Sequence, residues 1–325
     1  MKTINELQNI IEKEIQSIKY PEYPKKLYEP IAYILDGGGK RIRPLLLLLS
    51  YNLFNDDISI AIKPAIGVEI FHNFTLMHDD IMDKSVLRRN KKTVHKKWNN
   101  NVAILSGDAM LIFSYKFFFD LPSHVQSVAL NLFTDSALKV CEGQQLDMNF
   151  ERKKNVSEDE YLKMIELKTA ILIACSMGLG GIIAEANEKD INLLYQIGKN
   201  IGLAFQLQDD YLDVFGNEDT FGKKIGNDII NNKKTFLLIL AKKLADKERF
   251  DKLEYWFSQK KNVDVNKKVA EVTTIYKELS VDKLVREEIQ KYINISLNLL
   301  NKLSVDKYRF AELEKIIDAI LKRNK

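Results

Sequence analysis

Helix-breaking residues are scarce in this sequence: 14 glycines and 6 prolines are spread through 325 positions, roughly half the usual combined share of about 12%. Sandwiches, barrels and many-turned α/β folds need far more tight reversals than these residues can supply. Hydrophobic residues make up 46% of the chain and charged residues 29%, enough apolar surface for a core and too much for a disordered chain. Apolar residues recur at helical spacing through Ile4, Leu7, Ile10, Ile11, Ile15 and Ile18, and the pattern stops at Pro21 and Pro24. The same periodicity predicts helices over about 26–36, 44–55, 61–83, 101–120, 123–150, 158–186, 190–216, 227–245, 248–258, 264–279, 281–302 and 306–322. Ser123-x-x-Gln126 and Ser157-x-x-Glu160 have the form of capping boxes. No segment alternates with period two long enough to demand a sheet, and neither a repeat nor a Ser/Gly-rich linker divides the chain. The expectation is an all-α protein with residues 1–325 as a single domain.

Composition also limits the partners. With 49 basic and 45 acidic residues, net +4, there is no electrostatic case for nucleic acid. Cys141 and Cys175 are the only cysteines and lack C-x-x-C spacing, so neither a disulfide framework nor a zinc site is expected. The first 19 residues alternate Ile and Leu with Glu and Lys, unlike a secretory signal. Leu45–Leu49, the longest leucine run, falls far short of the ~20 residues that span a bilayer. A soluble, cytoplasmic protein without an integral membrane segment is expected.

Two acidic clusters stand out because they interrupt apolar helices. Phe74-Thr75-Leu76-Met77-His78-Asp79-Asp80-Ile81-Met82-Asp83 and Phe205-Gln206-Leu207-Gln208-Asp209-Asp210-Tyr211-Leu212-Asp213 each carry D-D-x-x-D. Within each cluster the first and last aspartates lie four residues apart on nearly one helix face, about 6 Å along the axis. Two unpaired carboxylates at that spacing repel by roughly 2–3 kcal/mol at an effective dielectric near 20. A cation is expected at each, and Mg²⁺ suits the oxygen donors, since it binds through one or two carboxylates plus substrate phosphates. Glu69-x-x-His72 matches half of a di-iron helix-bundle signature, but residues three before His78, His95 and His124 are Thr75, Lys92 and Leu121. The second half is missing, and the di-iron reading fails.

Cations accompany the clusters. Gly37-Gly38-Gly39-Lys40-Arg41-Ile42-Arg43-Pro44 feeds basic residues into a helix start without being a Walker P-loop. By itself this stretch reads as a helix stop followed by surface charge. Further basic groups occur at Arg88-Arg89, Lys168-Thr169, Gly222-Lys223-Lys224-Ile225-Gly226-Asn227-Asp228 and Lys233. Together with Mg²⁺ clamped at the two acidic clusters they supply enough positive charge for two diphosphates.

This ordered series, with Gly143-Gln144-x-x-Asp147 between the aspartate clusters, resembles the all-trans isoprenyl diphosphate synthases, the family of farnesyl and geranylgeranyl diphosphate synthases. The likeness runs from Gly38 to Lys233. It implies an isoprenoid-synthase bundle of about a dozen helices around a deep central cavity, usually a homodimer, with the two aspartate clusters facing each other. Carried over residue by residue, it implies that Asp79 and Asp83 bind two Mg²⁺ and Asp209 a third, with Asp80, Asp210 and Asp213 as supporting carboxylates. Arg88, Lys168, Lys224 and Lys233 are then expected to contact the allylic diphosphate, and Lys40, Arg43, His72 and Arg89 the isopentenyl diphosphate. Asp147 is expected to orient Lys168 or Arg88. Thr169 and Gln206 are expected to turn oxygen dipoles toward a developing allylic cation.

Product length follows from the cavity floor. Phe74 lies five positions before Asp79, about 7.5 Å down the helix, with the smaller Thr75 next to it. This pairing resembles archaeal-type geranylgeranyl synthases, so C20 and C15 products are both expected. A class I terpene cyclase and a non-catalytic partner subunit are the competing readings; a cyclase normally replaces the second D-D-x-x-D, and a partner subunit typically loses one cluster.

Overall fold

The structure, a computed structural model, describes residues 1–216, 225–259 and 264–321. Its helices are α1 (Ile4–Ser17), α2 (Lys25–Leu35), α3 (Ile42–Asn52), α4 (Ser59–Met82), α5 (Val94–Lys97), α6 (Asn100–Lys116), α7 (Ser123–Arg152), α8 (Glu158–Ile165), α9 (Ile171–Ile183) and α10 (Glu188–Phe215). They continue with α11 (Asn227–Ile230), α12 (Phe236–Leu244), α13 (Lys247–Ser258), α14 (Val265–Glu278), α15 (Val281–Leu300) and α16 (Ala311–Leu321). A π-turn, Glu166–Ala170, joins α8 to α9, and a 3₁₀ turn, Lys307–Phe310, precedes α16. Among the described residues the sheet content is one antiparallel ribbon, β1 (Leu87–Arg88) with β2 (Lys91–Lys92). The all-α expectation holds.

The chain forms two compact units. The first comprises Met1–Thr134, Cys175–Tyr195 and Ser304–Glu312. Its centre is α4, against which α1, α2, α3 and α6 pack. Leu45 through Leu49 on α3 are all buried, as are Ile66, Val68, Ile70, Phe71 and Met77 on α4, each contributing about 1.5–3 kcal/mol over the exposed state. Gly67 lets α4 approach α6 closely: a Cβ there would stand 2.8 Å from the Ser114 carbonyl oxygen.

The second unit comprises Asp135–Ala174, Gln196–Leu303 and Leu313–Lys325. Here α12 packs on α8, α14 and α15, while α14 also meets α11 and α13. Val272 and Tyr276 on α14 and Val281, Val285, Ile289 and Ile293 on α15 form apolar stripes, spaced at four residues within each helix as a helix seam requires.

Several boundaries differ from the sequence reading for local reasons. The Ser157–Glu160 capping box forms, and a second one closes at Thr3–Glu6. Ser123 is instead the first residue of α7, and the Gln126 side-chain amide donates to the Phe118 and Phe119 carbonyls. The 227–245 periodicity is not one helix: α11 ends at Ile230, Asn232 takes a left-handed conformation at φ 58°, and α12 starts after Thr235. Asparagine tolerates that conformation and stops a helix as glycine does. The stretch Glu158–Ile183 is long and apolar enough to cross a membrane, yet 83% of its most apolar window is buried in the protein.

Candidate active site

Asp79 and Asp80 stand in the last turn of α4 and Asp83 is its C-cap, with no basic residue in that turn. A helix C-terminus carries partial negative charge, so acidic side chains are disfavoured there, typically by 0.3–1 kcal/mol each. Three aspartates at that end call for a compensating cation. One arrives from the ribbon: the Arg88 Nε donates to both Asp80 carboxylate oxygens at 2.9 Å, and an Arg88 terminal nitrogen reaches Asp79 at 3.3 Å. Asp80 is only 2% exposed, and burial pushes its carboxyl above the usual range despite the opposing pull of Arg88. Asp80 therefore serves as the anchor of Arg88.

The ribbon aims its arginines by turn geometry. Residues Arg89 and Asn90 both have positive φ, 50° and 61°, the two-residue type I′ turn whose twist suits a tight hairpin. The turn carries the Arg89 guanidinium to the Gly38 carbonyl. An open cleft of about 350 Å³ borders Asn73, Asp80, Arg88 and Arg89. Strands of two residues leave no alternation for sequence analysis to detect.

Lys40 and Arg43 flank the entry to α3, with Lys40 exposed and Arg43 half-buried. An Arg43 terminal nitrogen lies 2.9 Å from His72 Nε2. Because a guanidinium can only donate, Nε2 is the acceptor and the proton sits on Nδ1. Burial, reinforced by Arg43, Arg89, Arg88 and Arg41, holds the His72 pKa well below its ordinary 6.5. His72 is thus a neutral donor through Nδ1. The NMR shift of its ring Cε1–H is expected to stay flat from about pH 8 to about pH 6, where an ordinary imidazole titrates; a midpoint near 6.5 would contradict this assignment. With its folded pKa depressed, its contribution to stability is complete above about pH 6.5 and declines as pH falls below that value.

The second unit builds its set around the π-turn. Such a turn replaces i→i+4 bonds by i→i+5 and pushes its residues outward, here Lys168 and Thr169, both half-buried. Lys168 Nζ donates to Asp147 at 2.6 Å, and Thr169 Oγ1 to Gln206 Oε1 at 3.0 Å. On α7, Gly143 clears space for the turn and Asp147 follows one helical turn later; on α10, Gly202 does the same and is followed by Gln206. A Cβ at Gly143 would stand 2.2 Å from the Lys168 nitrogen, and one at Gly202 would stand 2.4 Å from the Ala170 Cα. Both flanking helices thus present a glycine and then, four residues on, a polar partner.

Asp209 is half-buried on α10, on the face it shares with Gln206. Asp210, one helical turn after Gln206, accepts from Gln206 Nε2 at 3.0 Å and from the Tyr161 hydroxyl. Burial first, then Asp228, raises its carboxyl well above the usual range. Asp213 accepts the backbone N–H of Asp228 at 2.9 Å, which secures the start of α11. Lys233 is exposed and lies 3.8 Å from Asp228. Lys224 and the tail from Lys322 to Lys325 fall outside the described residues. Sequence reasoning missed Tyr161, which carries no motif.

Thr75 lies on the Asp79 face of α4, whereas Phe74 is turned about 140° round the helix. Phe74 is buried, with ring centroids 5.5 Å from Phe71 and 4.8 Å from His78. It acts on that face only through what it packs against.

Among the described residues, no group of three or more His, Cys, Asp or Glu side chains gathers into a self-sufficient metal site. Pairs of hard carboxylate oxygens at a helix end fit Mg²⁺ that completes its shell with substrate phosphate and water. An all-α scaffold with two aspartate-bearing helices, each with basic side chains in its own unit, has the chemistry suited to a class of enzymes that handle diphosphates through carboxylate-held cations.

Comparison with known proteins narrows the class. The sequence profile of the polyprenyl synthetase family matches residues 24–278. The chain is 40% identical over 252 residues to a short chain isoprenyl diphosphate synthase of Methanocaldococcus jannaschii, covering 76% of each. It is 41% identical over 239 residues to a geranylgeranyl diphosphate synthase of Saccharolobus solfataricus, covering 72% of each. A crystal structure of a geranylgeranyl pyrophosphate synthase superposes over 100% of both chains with TM-score 0.95 and 41% identity. Another, from Corynebacterium glutamicum and complexed with isoprenyl diphosphate and magnesium, covers 98% of this chain and 97% of its own, with TM-score 0.83 and 26% identity. The chain belongs to the polyprenyl synthetase family and is a short-chain trans-prenyltransferase.

Proposed function

We propose that the chain condenses isopentenyl diphosphate with dimethylallyl, geranyl or farnesyl diphosphate, giving C15 and/or C20 all-trans prenyl diphosphate and free diphosphate. The observation that carries this reading is the pair of D-D-x-x-D helices, each accompanied by anchored cations: Arg88 on Asp80, and Lys168 on Asp147. In the reaction the allylic C–O bond breaks and diphosphate leaves with the electron pair. The isopentenyl double bond then attacks the allylic carbon, and the proton lost afterwards passes to the released diphosphate.

Arg88, Lys168 and Lys233 hold the allylic diphosphate, their charge stabilising the leaving group as it departs; Lys224 belongs to this set by sequence. Lys40, Arg43, Arg89 and the Nδ1–H of neutral His72 fix the isopentenyl diphosphate beside the reacting carbon. The Thr169 and Gln206 oxygens offer dipoles to the allylic cation. Two Mg²⁺ at Asp79 and Asp83 and a third at Asp209 would, when bound, supply the remaining charge neutralisation. Asp80, Asp210 and Asp213 support the set through Arg88, Tyr161 and the start of α11.

Residues 1–325 act as one synthase domain in this reading, in keeping with the full-length similarity to a solved synthase. A homodimer is part of it: Ile104, Leu105 and Ile112 expose 44%, 61% and 69% of their surface along one face of α6, an apolar stripe that calls for a partner. So is a cytoplasmic location, since the most apolar run is buried in the core. The terpene-cyclase and non-catalytic readings are disfavoured by both intact aspartate clusters and by the synthase relatives.

Incubating the purified protein with dimethylallyl and isopentenyl diphosphates and Mg²⁺ tests the reading directly. Elongation supports it; cyclic hydrocarbon or no product refutes it. In the same assay, Phe74→Ala is expected to shift the main product up by about one C5 unit, because the void of roughly one aromatic ring beside Phe71 relaxes the floor. An unchanged distribution would place the floor at Thr75 and beyond.

A further inference from the structure

Arg41 is a residue that the proposed chemistry leaves without a task. It is 4% exposed, sits at φ 46° and ψ 40°, and forms the N-cap of α3. A long side chain in left-handed backbone costs of order 1 kcal/mol and persists only where its surroundings over-determine it. They do so here through all three guanidinium nitrogens. Nε donates to Glu12 on α1 at 2.8 Å, one terminal nitrogen to Glu69 on α4 at 2.8 Å, and the other to the Leu35 carbonyl at the end of α2 at 2.5 Å.

Glu69 is itself 2% exposed and accepts a further bond from Asn73 Nδ2 at 2.9 Å. His72, three residues after Glu69, meets Arg43. The motif Glu69-x-x-His72, which failed as a di-iron half-site, thus engages Arg41 and Arg43 in turn. Glu69 lies ten residues before Asp79, about 15 Å along α4, too far to share a metal with it.

We infer that the buried Arg41–Glu69 pair positions Lys40 and Arg43 for isopentenyl diphosphate. The inference rests on the assignment of those two residues in the proposed function. Arg41 is a positioning residue: it fixes the backbone between the two substrate cations and ties it to the same helix that carries Asp79. A buried ion pair is a poor source of net stability compared with an apolar pair of similar volume. What it supplies is a single geometry: the rigid planar guanidinium fork holds three acceptors on three helices in fixed directions, which the compact, freely rotating ammonium of a lysine does not.

The test compares wild type with the double variant R41M/E69Q, which removes both buried charges together and leaves neither exposed to an apolar interior. Thermal melting, steady-state kinetics and calorimetric titration of isopentenyl diphosphate are measured on each. A cooperative melt, with the isopentenyl diphosphate KM and Kd raised about tenfold or more and the allylic KM changed less than about twofold, is the expected result. Equal shifts in both KM values, or an unchanged isopentenyl diphosphate KM, would overturn it. Should the double variant fail to fold, Glu12→Gln removes the half-exposed anchor alone and is expected to raise the same KM about threefold with the same selectivity; no selective change overturns the inference. Wild type that forms no product from isopentenyl diphosphate refutes the proposed function instead, so the two failures are distinguishable.

Discussion

Replacing Asp79 with Ala is expected to lower the Mg²⁺-dependent condensation rate roughly 10³-fold or more while leaving the melting temperature unchanged or slightly raised. The two signs come from one cause. Asp79 stands at the negative end of α4 beside Asp80 and Asp83, so its charge opposes the helix dipole until a cation arrives. Arg88 keeps its bonds to Asp80 in the variant, so loss of the longer 3.3 Å contact to Asp79 costs little. Asp209→Ala is expected to behave alike, because Asp209 adds to the repulsion that raises Asp210. Initial rates measured beside thermal melts check both variants. Near-normal turnover in either would remove that aspartate from the metal assignment.

Gly143→Ala is the second large effect, and here stability and activity should fall together. The new methyl would lie 2.2 Å from the Lys168 nitrogen and 2.6 Å from both the Leu167 carbonyl carbon and the Lys168 Cα. All three are backbone atoms and none can swing aside. Either α7 or the π-turn must move, at a cost of about 1–3 kcal/mol for an overpacked contact. A displacement of about 1 Å would misplace Lys168 and cost about 10²-fold in kcat, because the 2.6 Å bond to Asp147 fixes its ammonium. Chemical denaturation together with kcat measurement tests this. A variant that melts like wild type with full kcat would show that the turn tolerates the methyl.

The two predictions also mark where sequence reasoning stops. The D-D-x-x-D clusters were legible because carboxylates interrupting apolar helices have few explanations. Gly143-Gln144-x-x-Asp147 was legible as a pattern, but its reason lay in the π-turn, which has no sequence signature of its own. Arg41 looked like surface charge beside Lys40; nothing in the linear sequence brings Glu12 and Glu69 to it. The long helices followed from periodicity. The 227–245 segment was misread because Ile229, Ile230 and Phe236 keep a helical rhythm across a break set by Asn232.

The π-turn also acts as a phase shifter. From Glu158 to the start of α9 the backbone winds as one rod, but the wider turn at 166–170 inserts one residue into the count, equivalent to rotating everything beyond it by about 100°. Side chains before and after the turn therefore answer to different angular frames. The face of α8 that carries Tyr161 and Met164 can be set for the core, while Lys168 and Thr169, inside the turn, are set independently toward Asp147 and Gln206. A chain that regained the ordinary helical pitch here would keep every residue of the motif and lose their common direction.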